Sequence, residues 1–144
     1  FTKGATEAIN LVASTYGKKH IKKGDEILIT ELEHHSNYVP WHYLRSERGA
    51  VIKFAPVNEN GDVEVGEIKK LISSKTKIIA ITHISNVTGA IMPIKKIALI
   101  TEIKGLKIDP LIKEQLKNIS DEDSNMFRFL TESAKLDDNY DKVK

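Results

Sequence analysis

Cysteine is absent from all 144 residues. Disulfides, thiolate nucleophiles and thiolate metal ligands are thereby excluded within them. No apolar run approaches the roughly 18–20 residues that a membrane-spanning helix needs, and no basic-then-apolar leader opens the chain. The first residues are Phe1-Thr2-Lys3, without an initiator Met, which reads as numbering from inside a longer product or as a cut chain. A strong charge of either sign is missing too. The net charge of +2, on basic residues that are scattered rather than striped, gives no ground for a nucleic-acid partner. Neither does it suggest a membrane partner. The densest basic cluster, Lys18-Lys19 with Lys22-Lys23, reads as a solvated loop in preference to a phosphate patch. The expected compartment is the cytoplasm.

What is present is the composition of a soluble globular protein, with 40% hydrophobic and 29% charged residues, long enough for one domain with a core. Two parts differ. Residues 1–100 hold all five His, the single Trp and most of the Gly. The remainder is rich in Lys, Asp and Glu, with acidic clusters at Asp121-Glu122-Asp123 and Asp137-Asp138. We expect an α/β unit over 1–108 and a divergent helical tail over 109–144.

Helix and strand signals alternate in the first part. Thr6 to Ala13 has helical periodicity, and Gly24-Asp25 is a turn before a buried strand Glu26–Thr30. Asn37 to Arg48 reads as a helix with Pro40 in its first turn and Gly49 as its stop. Val51–Pro56 is a second strand, Asn58–Gly61 a turn, and Val65–Ile72 a helix. Thr76–Thr82 is a continuous apolar strand, followed by a helix over Ile94–Thr101. Strands separated by helices imply a mostly parallel sheet covered on both faces, with ligands at the carboxyl ends of the strands. Glu31–Asn37 and His83–Thr88 both follow strands and should share that rim. In the tail, Asp109-Pro110 is a helix-start signal, Leu111, Ile112, Leu116 and Ile119 recur at helical spacing, and Ser120 with Asp123 resembles a capping box.

Three segments could carry chemistry. Gly4-Ala5-Thr6-Glu7 opens a helix, where free N–H groups and the positive dipole end attract phosphate. The plainer local reading is that Thr6 caps the helix and Glu7 favours its dipole. Glu31-Leu32-Glu33-His34-His35-Ser36-Asn37 puts His34 at a strand end, where an imidazole can stack on a ring, titrate or bind metal. The His-Glu-x-x-His spacing of a metal site is missing, and a structural pair stays open. Thr82-His83-Ile84-Ser85-Asn86-Val87-Thr88-Gly89 follows the most apolar strand. Asn86 there either fixes a ligand's polar edge or satisfies its own turn.

Phe1–Ala13, Gly24-Asp25-Glu26-Ile27, Glu33–Asn37 with Val39-Pro40-Trp41, and Thr76 to Gly89 together resemble the SUF-type cysteine desulfurases of the class V aminotransferase group, fold type I. The resemblance covers residues from 1 to about 100, in order. It implies a partial fold type I large domain and pyridoxal phosphate as cofactor. In this family the segment matching Ala5 and Thr6 holds the cofactor phosphate, the His matching His34 stacks on the pyridine ring, and the Asn matching Asn86 bonds the phenolic oxygen. It also implies cysteine as substrate, alanine and persulfide sulfur for iron–sulfur assembly as products, a homodimer, and a sulfur-acceptor protein.

The sequence also departs from the family. Ala5 stands where a Thr is usual. The family's Asp for the ring nitrogen, its Ser-Gly-His-Lys with the anchoring Lys, and its sulfur-accepting Cys have no match. Asp109 reads as a helix N-cap in preference to the ring-nitrogen partner. The expectation is therefore a fragment that does not turn over alone and would need a second chain carrying the missing part. The alternative is a non-catalytic relic or interaction module.

Overall fold

The computed structural model describes residues 1–105, together with Glu114 and Lys117. Readings placed on 109–144, including Asp109 and the helical tail, lie outside the described residues apart from those two, which form an exposed i,i+3 ion pair.

Helix α1 is Ala5–Val12. It passes through a π-helical turn, Ala13–Gly17, into a short last turn, α2, Lys18–His20. Ser14 and Thr15 both donate their hydroxyls to the Leu11 carbonyl. Such back-bonding competes with the regular ladder and accompanies widened turns. Strand β1 is Glu26–Thr30, and a single 3₁₀ turn, His35–Asn37, leads into α3, Val39–Arg48. Gly49 ends α3 in the left-handed region with φ 71°, which an L side chain adopts only at a cost. Strand β2 is Val51–Ala55, α4 is Val65–Leu71, β3 is Thr76–Ile79 and α5 is Ile94–Ile103.

The sheet order is β2-β1-β3, and both pairings are parallel. Every residue of the central β1 is buried. Its side chains alternate between two faces, as the two-residue period of a strand requires. Ile27 and Ile29 pack with Ala13, Ile21, Trp41, Leu44 and Ala50 on the α1 and α3 side. Leu28 packs on the other side with Ala55, Ile68, Ile72, Met92 and Ile97, under α4 and α5. A Cβ on Gly17 would stand 2.5 Å from Leu44 Cδ1, so glycine there lets the π turn approach α3. The fold is thus α/β, a parallel sheet between helices.

At the amino ends of the strands, the Glu26 carboxylate joins all three. One oxygen takes Lys53 Nζ from β2 at 2.8 Å, Ser73 Oγ at 2.6 Å and Thr76 Oγ1 from β3 at 3.1 Å. Burial pushes this carboxyl up. The donations from Lys53, Ser73 and Thr76, with the Lys53 charge, outweigh burial and hold it below the ordinary value.

The sequence reading of Thr6 as helix cap is corrected. The cap residue is Gly4, in extended conformation and without a side-chain bond, and Thr6 lies one residue inside the helix. β3 also stops at Ile79 rather than Thr82, for a reason found at the rim.

Candidate functional site at the carboxyl rim of the sheet

β1 and β3 run parallel, so the segments after them leave from the same edge of the sheet. After β1 comes the turn that carries His34. Its Nδ1 accepts the Ser36 N–H at 3.2 Å and lies 3.0 Å from the Ser36 hydroxyl. An accepting Nδ1 puts the proton of the neutral ring on Nε2. The ring is exposed and meets His35 edge-on, with centroids 6.0 Å apart. Among the described residues, no three His, Cys, Asp or Glu are grouped to hold a metal.

After β3, residues 82–92 double back on themselves. Ile84 and Ile91 form an antiparallel bridge, and Met92 N donates to His83 O at 2.8 Å. Buried Ser85 accepts the N–H groups of Val87 and Thr88 on its hydroxyl. Asn86 stands exposed beside this fixed Ser85. The turn is therefore satisfied by serine, and the Asn86 side chain is not spent on it.

The two segments are tied together by Glu33 and Asn37. Thr82 N donates to both Glu33 carboxylate oxygens at 3.0 Å. Thr30 Oγ1 and Asn37 Nδ2 each donate to one of those oxygens at 2.7 Å. Asn37 Nδ2 also reaches Ala80 O at 3.1 Å, and Asn37 Oδ1 accepts the Trp41 indole N–H at 3.0 Å. Sequence reasoning missed Glu33 as an organiser. The available signal was an acid spaced three and four residues from polar Thr30 and Asn37, just after a buried strand.

The third element is α1, which packs against the His35–Asn37 turn. Ala5 and Thr6 are exposed in its first turn, and nothing lies within 4 Å of a Cβ built on Gly4. The first N–H groups of a helix have no intrahelical acceptor. Glu7 lies in the same turn and accepts the Lys3 N–H. The helix N-terminus at Ala5 and Thr6, the His34 imidazole and the Asn86 amide are all exposed, and groups of these kinds can meet an anion, a ring face and a polar edge respectively. The structure thus joins the His34 turn to the Asn86 segment through Glu33 and sets α1 beside that turn. A cleft of about 460 Å³ lies on the β2 side between Ile29, Glu31, Glu33, His35, Tyr38 and Phe54 and is lined by none of Ala5, Thr6, His34 or Asn86.

Residues 1–108 match the Aminotransferase class-V family. A probable cysteine desulfurase of Halalkalibacterium halodurans is 48% identical over 105 residues, covering 73% of this chain and 26% of that protein. A cysteine desulfurase of Synechococcus elongatus is 47% identical over 108 residues, or 75% of this chain and 17% of that protein. The solved cysteine desulfurase CsdA of Escherichia coli superposes with a TM-score of 0.69 at 33% identity, over 73% of this chain and 26% of its own. The chain spans about a quarter or less of the length of these relatives.

Proposed function

The chain belongs to the class-V aminotransferase family and carries part of the fold of the fold type I cysteine desulfurases, and on that premise we propose that it is the front portion of a cysteine desulfurase's cofactor-binding domain. The observation that carries this reading is the bonding of the His34 turn to the Asn86 segment at one rim, with α1 packed against that turn.

In this reading the rim holds pyridoxal phosphate. The N–H groups at Ala5 and Thr6 and the Thr6 hydroxyl bind the phosphate. The His34 ring stacks on the pyridine, and the Asn86 amide donates to its phenolic oxygen. Bound there, the cofactor supplies the electron sink that cleavage of the cysteine carbon–sulfur bond requires. Ala5 brings no hydroxyl, which weakens the phosphate contact by about 1–2 kcal/mol relative to a Thr. Ser36 fixes the His34 ring, and the buried Ser85 fixes the backbone on which Asn86 sits.

Turnover also needs a covalent anchor and a sulfur acceptor. Residues 1–144 contain no Cys and no Gly-His-Lys, so these residues alone are proposed to release no sulfur. The complete assembly is proposed to be a cytoplasmic homodimer that acts on cysteine and hands sulfur to an acceptor protein for iron–sulfur assembly. Sequence outside these 144 residues would supply the missing Lys and Cys.

The test is borohydride trapping with peptide mapping, alongside sulfide release from cysteine under reductant. The 144 residues alone should give scattered, sub-stoichiometric labelling and no sulfide. Sulfide should appear when a chain with the missing segments is added. Stoichiometric labelling of one Lys, with cysteine-dependent sulfide from the 144 residues alone, would refute the fragment reading. Substituting His34→Ala should weaken binding of pyridoxine 5′-phosphate several-fold, read by fluorescence titration. Unchanged binding would remove His34 from the site.

A further inference from the structure

We propose that Glu33 is the positioning residue of this rim: its carboxylate replaces a rung of the β1–β3 ladder and so sets Asn86 and His34 in register toward one ring-shaped ligand. The inference rests on the cofactor reading of those two residues and adds to it the part that holds them in place.

The ladder itself supplies the ground. In a parallel pair the bonds recur evenly, every second residue along the strand. Ala80 N donates to Leu28 O at 2.9 Å. The next rung would run from Thr82 N to Thr30 O. That rung is not made. Thr30 O instead receives the Glu33 N–H at 3.4 Å, and Thr82 N turns to the Glu33 carboxylate. A side chain has thus entered between the two strands at the point where the sheet opens. This is also why β3 ends at Ile79 although the sequence stays apolar through Ile81.

The substitution is specific in shape. The carboxylate straddles the Thr82 N–H symmetrically, while Thr30 and Asn37 hold one oxygen each. Its orientation is therefore fixed from β1's own turn, and its remaining reach is spent on a residue 49 positions away. A carboxylate that served only its local turn would need Thr30 and Asn37 and nothing else. Asn86 lies four residues beyond the anchored Thr82, and His34 directly follows Glu33. Small rotations of the carboxylate would move one relative to the other. Fixing a binding constellation through such supporting bonds is what keeps it competent.

The experiment uses the full 144-residue chain and pyridoxine 5′-phosphate, whose alcohol forms no imine with lysine. Proton–nitrogen NMR follows the Thr82 amide, the His34 ring and the Asn86 side-chain amide. In the unmodified chain, His34 and Asn86 should respond together with one dissociation constant. Glu33→Gln turns one acceptor into a donor facing Thr82, Thr30 or Asn37. It should raise Thr82 amide exchange at least about tenfold and weaken the ligand at least about tenfold, with the Asn86 response lost and the His34 response kept. Glu31→Gln changes the same charge at a carboxylate that accepts Val57 N, and should leave both readouts unchanged. Thr82 protection retained in E33Q, or joint responses with affinity within about twofold, overturns the proposal. If His34 and Asn86 ignore the ligand even in the unmodified chain, the cofactor reading fails, and the Thr82 exchange rates still decide the clamp. Should E33Q lose its fold, Glu33→Asp carries the same comparison, because it keeps the charge but withdraws the carboxylate by one methylene.

Discussion

Replacing Lys53 with Met removes the cation that, among the described residues, pairs with Glu26 in the lock at the amino ends of the strands. Glu26 is buried, and one of its oxygens carries Lys53, Ser73 and Thr76. Breaking one side of a buried ion pair typically costs about 3–5 kcal/mol. Two features place this case lower. Ser73 and Thr76 continue to donate, and the Lys53 side chain is 26% exposed, so part of its desolvation is never incurred. The expected loss is about 2–3 kcal/mol at pH 7. Its pH dependence has a definite sign. The Glu26 pKa in the folded chain is depressed below 4.5, so its stabilisation is fully present above that value. It is lost as pH falls through the lower folded value. The gap between Lys53→Met and the unmodified chain should therefore be widest at neutral pH and close in acid, where Glu26 is protonated in both. Urea unfolding can follow the indole of Trp41, the single tryptophan, which is 2% exposed. A gap under about 0.5 kcal/mol at pH 7, the scatter of ordinary surface substitutions, would refute the reasoning. So would a gap that stays constant between pH 7 and pH 3. Adding Glu26→Gln to Lys53→Met should recover part of the loss, because the unpaired buried charge is then gone.

Gly49→Ala places a Cβ at φ 71° and 3.1 Å from Lys23 Cγ, and should cost about 1–2 kcal/mol in the same titration. Gly24→Ala shares the positive φ but has nothing within 4 Å of its Cβ. It should cost less, and equal losses would deny Lys23 any part. Ile68→Ala empties a fully buried position between Leu28 and the α5 residues, for an expected loss of about 2–5 kcal/mol. A loss below about 1 kcal/mol would mean that α4 packs loosely on the sheet.

Much of the fold was legible because the decisive signals were local. Ile27-Leu28-Ile29 between Gly24-Asp25 and a polar run could hardly be other than a buried strand, and the bounds Glu26–Thr30 agree. Pro40 and Gly49 punctuate α3 by backbone chemistry alone. The α/β alternation then fixed the parallel arrangement. What escaped the sequence was set by partners distant along the chain or by side chains acting on backbone. Periodicity cannot foresee that Ser14 and Thr15 both turn to Leu11 O and widen the helix. The apolar run through Ile81 promised a longer β3, but Glu33 and Asn37 take over the bonds of Thr82 and Ala80. Lys53 carried no signal of its own in the sequence, and its bond to Glu26 became visible only once β1 and β2 were adjacent. At the site, the family resemblance drew attention to His34 and Asn86 but was silent on Glu33, whose role depends on a residue 49 positions away.

The two carboxylates flanking β1 are neutralised differently, and the difference suits the ends they occupy. Glu26 faces a lysine and two hydroxyl donors, an arrangement held chiefly by hydrogen bonds with the Lys53 charge added. It belongs to the end of the sheet that only has to stay closed. Glu33 is held by uncharged donors: a hydroxyl, an amide and one backbone N–H. Each is individually weak, and their geometry depends on the strands being splayed by the width of a side chain. Such a group fixes direction without drawing a second charged side chain into the rim. A lysine in that place would compete with His34 and the start of α1 for any phosphorylated ligand. Charge neutralisation by dipoles at the opening, and by an ion pair at the closed end, lets one short strand anchor both the core and a site beside it.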